Sequence, residues 1–190
     1  MSTTATTGDV RTRTDVTFQK EVVTRRGARY ALAALRIVLG FTFFWAFIDK
    51  VFGLGFSTPP ERSWINGGSP TAGFLGGSTA PEVNNPFKPM FEFFLSWGVL
   101  ADIVFMVGLL AIGVALLLGA GLKIAAITGG ILVFLMYLAA FPFTRGGTNP
   151  IFDSHILQLV GLVILPLTLA GDTWGVGKIW GRRVGDSWLR

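Results

Sequence analysis

Four stretches of almost unbroken apolar residues decide what this chain can become. They cover residues 30–48, 99–118, 125–143 and 156–170. A helix needs about 20 mainly apolar residues to cross a hydrocarbon core of about 30 Å. Three stretches reach that length. The fourth is shorter and draws on His155 and on the residues after Gly171 at its edges. The sequence therefore predicts an all-α membrane protein, a four-transmembrane-helix bundle with a long extracytoplasmic loop between helices one and two. Charged residues make up only 14% of the chain, against roughly 25% in soluble domains. The membrane domain is expected over residues 29–181. Residues 1–28, rich in Thr and Arg, read as a disordered cytoplasmic tail, and 182–190 as a basic cytoplasmic tail. No apolar core with a small-residue cleavage site precedes Tyr30, so a cleavable signal peptide is not expected.

Charge sets the expected orientation. Arg11, Arg13, Lys20, Arg25, Arg26 and Arg29 precede the first stretch. Lys178, Arg182, Arg183 and Arg190 follow the last, and Lys123 lies in the turn between the second and third. Cytoplasmic loops carry an excess of Lys and Arg. A multi-pass protein of the cell membrane with both termini in the cytoplasm follows. The net charge of +5 then reads as topology and contact with anionic lipid, not as nucleic-acid binding.

The chain has no cysteine and one histidine. Thiol redox chemistry, cysteine-ligated zinc or iron–sulfur clusters and bis-histidine haem ligation are outside its reach. No metal site is expected, and any redox cofactor would be diffusible or held by a partner.

The first loop, about 51–90, is dense in Gly, Pro, Asn and Ser, which excludes a continuous helix. It also carries Trp64 and Phe74, expected at the membrane interface with the loop folded over the outer mouth of the bundle. Gly40 and Gly129-Gly130 suit close helix approach, and Pro166 should kink the fourth helix.

Following the chain direction through each span places Asp49, Lys50, Glu92, Asp102, Arg145, Asp153 and His155 at one outer level. A charge inside a span costs roughly 2.5–3.5 kcal/mol on insertion scales and usually finds a partner within the bundle. Asp102 is the clearest case, and Lys50 its natural partner. Arg36 and Lys50 are fourteen residues apart, about four helical turns, so they share a face with Phe43 and Phe47. Arg36 is expected to snorkel or to meet Asp172. Asp153 or Ser154 suits an N-cap, with His155 in the first turn. Two readings of that group stand: a cap with a hydrogen-bonded interfacial histidine, or a proton-handling and anion-binding cluster of Lys50, Asp102, Arg145, Asp153 and His155.

Several segments resemble a known family. RIVLGFTFFWAFIDKVFG, WINGGSPTAGFL, DIVFMVGLLAIGVALLLGAGLKIAA and NPIFDSHILQLVGLVILPLTLAGDTWGVGKIW are similar to the DoxX/DoxD family of small four-helix membrane proteins, over about residues 28–181. The end of helix one with Asp49 and Lys50 and the NPIFDSH start of helix four are the most specific parts. The nearest branch is the one labelled thiosulfate dehydrogenase (quinone) large subunit. The resemblance implies oxidation of two thiosulfates to tetrathionate, with electrons passed to a diffusible membrane quinone. On that basis Lys50 and Arg145, with Asp49 and Trp64, would bind the anion at the outer face. His155 with Asp153 or Asp102 would handle a proton, and Phe43 and Phe47, beside Phe44, would hold the quinone ring. A smaller second subunit is the implied partner. The alternative is a non-enzymatic accessory or scaffold subunit docking respiratory or sulfur-metabolism proteins, or a homo-oligomer. An anion channel ranks last, because four short helices leave little room for alternating access.

Overall fold

The computed structural model describes residues 16–141, 149 and 151–190. Among them the regular structure is helical, with no strand. Three helices are long and apolar enough to cross a membrane: α2 (Arg26–Phe52), α5 (Val99–Leu118) and α6 (Leu122–Ala140). α7 (Ser154–Leu167) is apolar but has 14 residues. The shorter helices are α1 (Gln19–Val22), α3 (Pro70–Thr79), α4 (Lys88–Ser96) and α8 (Gly177–Val184).

Each boundary has a local cause. α2 stops at Gly53, whose φ of +64° closes a left-handed cap with its N–H on the Asp49 carbonyl, a conformation glycine adopts at little cost. α7 begins at Asp153, whose side chain accepts from the N–H groups of His155 and Ile156. It ends at Leu167, one residue past Pro166. The proline thus closes the helix, short of residue 170, instead of kinking a longer one.

α5 packs between α2 and α6, and α7 packs against α6 and α2. Their shared core holds Leu39, Phe43, Met106, Leu109, Ile112, Leu116, Val133, Leu162 and Leu165. α2 and α5 meet backbone to backbone. A Cβ on Gly113 would stand 2.8 Å from the Phe44 nitrogen, and one on Gly40 2.9 Å from the Leu117 nitrogen. Small residues at such crossings let membrane helices gain dispersion contact.

The distribution of polarity is inverted relative to a soluble domain. Arg36, Asp49, Asp102 and Asp172 are buried, while Val38 (63%), Val104 (57%), Ile127 (60%) and Leu157 (74%) are exposed on the outside of the helices. Bilayer hydrocarbon as solvent favours that arrangement. The chain is an α-helical membrane protein with an apolar surface for lipid.

Three expectations are corrected. Arg36 neither snorkels nor meets Asp172. It is fully buried and donates to the carbonyls of Leu116, Leu117, Ala170, Thr173 and Trp174. The last carbonyls of a helix lack intrahelical partners and favour a cation, and Arg36 supplies both needs at the end of α5. Next, the first loop is more regular than its Gly, Pro, Asn and Ser content suggests. It holds α3 and two 3-10 turns, Pro60–Arg62 and Trp64–Asn66, because Ser69 caps α3 through the Ala72 N–H and Pro70 fits its first turn.

The flanking segments are the third correction. Residues 1–15 lie outside the described part, but 16–25 and 182–190 are not free tails. The Gln19 N–H donates to Asp172 Oδ2 at 2.9 Å. Arg190 Nη2 lies 3.2 Å from Asp172 Oδ2 and Nη1 2.5 Å from Asp186 Oδ1. The Thr17 N–H and hydroxyl donate to Asp186 Oδ2 at 3.1 and 2.8 Å. Polar composition suggested disorder; two carboxylates instead tie both segments to the bundle.

The Thr17 backbone N–H and hydroxyl, helped by Arg190 and opposed by partial burial, hold the Asp186 carboxyl below its ordinary value of 3.8. A lowered folded-state value stabilises the fold above the ordinary value, and the gain is lost as pH falls through the lowered one. The stability difference between wild type and Asp186→Asn should therefore narrow steadily once pH drops below 3.8. Thermal melts of both proteins across that range would show it; a constant difference would refute the latch.

Candidate functional site

The loop-side ends of α2, α3 and α5 bring polar and apolar surfaces together. Asp49 comes first. It is buried, and it accepts from Ser57 N–H (3.0 Å), Ser57 hydroxyl (2.6 Å) and Phe56 N–H (3.3 Å). Its oxygens are engaged in folding residues 54–58 back onto the helix, so the carboxylate anchors the loop. Lys50, half-buried, reaches the Ser57 hydroxyl at 3.5 Å.

Asp102 does not pair with Lys50. Its Oδ1 accepts from the Ser69 hydroxyl and the Thr71 N–H, both at 2.8 Å. The physical reason is α3, which aims its first-turn donors and the positive end of its dipole at the carboxylate. The Ser-Pro-Thr run at 69–71 is an N-cap followed by proline at the first helical position. That signal was available in the sequence and marks the start of α3, though not that Asp102 would meet it.

Two cavities flank this carboxylate. The first, about 660 Å³, is polar and lined by Lys50, Ser57, Glu61, Arg62, Asn66 and Ser69, with Phe74 on its wall. The second is an apolar groove of about 370 Å³ between α3, α4, α5 and α6, lined by Phe74, Phe91, Phe94, Trp97, Phe105 and Thr71 among others. Phe74 belongs to both walls and stacks on Phe105, with ring centroids 6.0 Å apart. Thr71 is buried, and its hydroxyl has no hydrogen-bond partner. Asp102 Oδ1 is thus bonded to one residue of each cavity, Ser69 and Thr71.

Phe43 and Phe47, which the resemblance assigned to the ring, lie elsewhere, as does Trp64. Phe43 is buried in the helix core, and Phe47 packs against that core, so Phe43 presents no free face to a ring. Trp64, expected at the interface, packs on the same core. Helical spacing had placed Phe43 correctly on an inward face, but that face is filled by α5.

Asp153 and His155 form a separate pair at the start of α7. His155 Nδ1 lies 2.6 Å from Asp153 Oδ2, while Asp153 Oδ1 accepts from the N–H groups of His155 (2.9 Å) and Ile156 (3.3 Å). Burial works against the charge on Asp153. The His155 ring and the two backbone donors satisfy that partly buried charge. A carboxylate on Nδ1 fixes the orientation of the ring. Neither residue is among those lining the two cavities, and Arg145 lies outside the described residues.

Comparison with known proteins gives no match: no family model fits the sequence, and neither curated proteins nor solved structures resemble it significantly.

Proposed function

We propose that this chain is a membrane subunit of a quinone-linked oxidoreductase acting on a small sulfur anion, thiosulfate being the substrate that the DoxX/DoxD resemblance implies. The observation that carries the reading is that Asp102 Oδ1 binds Ser69 of a polar cavity and Thr71 of an apolar aromatic groove, joining the two walls. The polar cavity sets Lys50 and Arg62 against Glu61, a balance that favours an anion. The groove suits a flat ring with an apolar tail drawn from the bilayer, and it replaces Phe43 and Phe47 as the ring site. Joining two thiosulfates through a new S–S bond releases two electrons, and a bound quinone would take these with two protons. Asp102 lines neither cavity itself; it would act through Ser69 and Thr71, and the DoxX/DoxD resemblance is what makes it a proton-transfer candidate. The Asp153–His155 pair is the second candidate for proton transfer.

The topology that accompanies this reading has four spans. α7 is about 21 Å long at 1.5 Å per residue, and its outer face exposes Leu157, Val160, Val163 and Leu167. Exposed Ile151 and Phe152 extend that apolar surface beyond the helix start. The Lys/Arg bias favours cytoplasmic termini in the cell membrane, with the two cavities on the outer side.

The test is thiosulfate-dependent reduction of a short-chain quinone by membranes carrying this protein, with and without a smaller partner subunit. Lys50→Gln should raise KM for the anion. Phe74→Leu should raise KM for the quinone. Asp102→Asn should lower kcat by roughly 10²–10⁴-fold, the usual range for loss of a proton-transfer group. A kcat unchanged by His155→Gln would remove the Asp153–His155 pair from the chemistry. No quinone reduction with any partner would leave an accessory subunit as the better account.

A further inference from the structure

At the opposite end of α2 lies a basic pocket that the proposed chemistry does not use. It has a volume of about 300 Å³ and is lined by Gln19, Lys20, Arg29, Asp172, Lys178 and Arg182, with Phe18 and Thr173. Four cationic side chains therefore surround one carboxylate. That carboxylate is already committed: Asp172 Oδ2 accepts from the Gln19 N–H at 2.9 Å and from Arg190 Nη2 at 3.2 Å. Arg29 spends Nη1 on the carbonyls of Val23 and Thr24. Lys20, Lys178 and Arg182 form no ion pair among the described residues.

An independent observation comes from Gln19. Its side chain is 1% exposed. Oε1 accepts from the Thr173 hydroxyl at 2.5 Å, but Nε2 is buried with no hydrogen-bond partner. A buried donor left unmade is costly, and this one belongs to a pocket walled by surplus positive charge. An anion with several acceptor oxygens would satisfy the cations, and the amide as well once the Gln19 side chain turns toward it.

The surroundings fix the depth. Tyr30 and Trp174 stack with centroids 5.0 Å apart, and Trp174, Ile179 and Trp188 are exposed nearby in sequence to Lys178 and Arg182. Aromatic rings of this kind collect at the headgroup level of a bilayer, and basic pockets there hold lipid phosphates.

We infer that this pocket is a phosphate-binding site, made by the Gln19 amide with Lys20, Arg29, Lys178 and Arg182. The phosphate of an anionic phospholipid and a free phosphate share this chemistry. The inference is independent of the proposed redox activity. Occupancy would bind residues 18–20 to α8 across the base of the bundle, so a bound phosphate stabilises the fold.

The experiment uses the full chain in nanodiscs of phosphatidylcholine, with phosphatidylglycerol added in one arm and inorganic phosphate in another. Phosphatidylglycerol should raise Tm by roughly 5 °C or more at saturation. Lys20→Gln with Lys178→Gln should abolish the rise. Gln19→Glu keeps the acceptor for Thr173 but puts negative charge where the donor was, and should abolish it too. Arg25→Gln with Arg183→Gln removes the same total charge outside the pocket lining, and should keep most of the rise. A rise with inorganic phosphate that Gln19→Glu removes would support the site with a free phosphate as its ligand. No rise in either arm, or an equal loss in the Arg25/Arg183 control, would overturn the inference.

Discussion

Arg36→Met should destabilise the protein by on the order of 4 kcal/mol. The guanidinium is fully buried and donates to five backbone carbonyls on two separate stretches, Leu116 and Leu117 at the end of α5, and Ala170, Thr173 and Trp174 beyond α7. Each buried acceptor left unmade costs about 1–3 kcal/mol, and some carbonyls keep a second partner: Leu116 also receives the Gly119 N–H at 3.2 Å. In a chain of this size that loss lowers Tm by roughly 10 °C. Arg36→Lys should recover only part of it, because a compact ammonium cannot span the two stretches as a planar fork does. Thermal unfolding in detergent measures both. An Arg36→Met protein within about 1 kcal/mol of wild type would show that the carbonyls find other donors.

Gly171→Ala is expected to be of similar size. A Cβ at Gly171 would lie 2.0 Å from the Gly119 carbonyl oxygen, a backbone atom with no rotamer by which to move away. Gly119 is itself held at φ +75°, and Cβ atoms on Gly175 and Gly177 would stand 2.6 Å and 2.4 Å from the Gly171 oxygen and carbonyl carbon. The turn after α5 and the segment after α7 are therefore in backbone contact, tied further by Val176 N–H to the Leu118 carbonyl at 2.8 Å. Overpacking usually costs about 1–3 kcal/mol; with backbone on both sides the upper end or beyond is expected. Because Asp172 is the next residue, the same change should also reduce the phosphatidylglycerol shift. Gly130→Ala is the control. Its added methyl would meet nothing closer than Leu159 Cδ2 at 3.8 Å, and alanine gains helix propensity, so stability should stay within about 0.5 kcal/mol of wild type. Equal Tm values for the two variants would contradict the close approach at Gly171.

The sequence by itself determined the membrane class and the long helices. Apolar runs of about 20 residues have one economical fold in lipid, because a helix satisfies its own amides. It also narrowed the cap of α7 to Asp153 or Ser154, since capping is a contact across two or three residues and is written in local order; the structure uses Asp153. It made Gly40 a close-approach residue, and the Leu117 nitrogen stands where a side chain would have been. Contacts between distant segments were not legible. A charge in a span announces that a partner exists, but any donor satisfies it. Asp102 took a hydroxyl and a backbone N–H from α3 instead of Lys50, and Arg36 took carbonyls instead of Asp172. Helical spacing showed which way Phe43 points, though not that α5 would cover it while an aromatic groove stayed open near Phe74. Composition made residues 16–25 and 182–190 look free, yet Asp172 and Asp186 bind them across more than 150 residues of chain. Periodicity and capping are short-range and survive in the order of residues; the choice among equivalent hydrogen-bond partners depends on which backbone ends packing brings within 3 Å, and only the tertiary structure decides that.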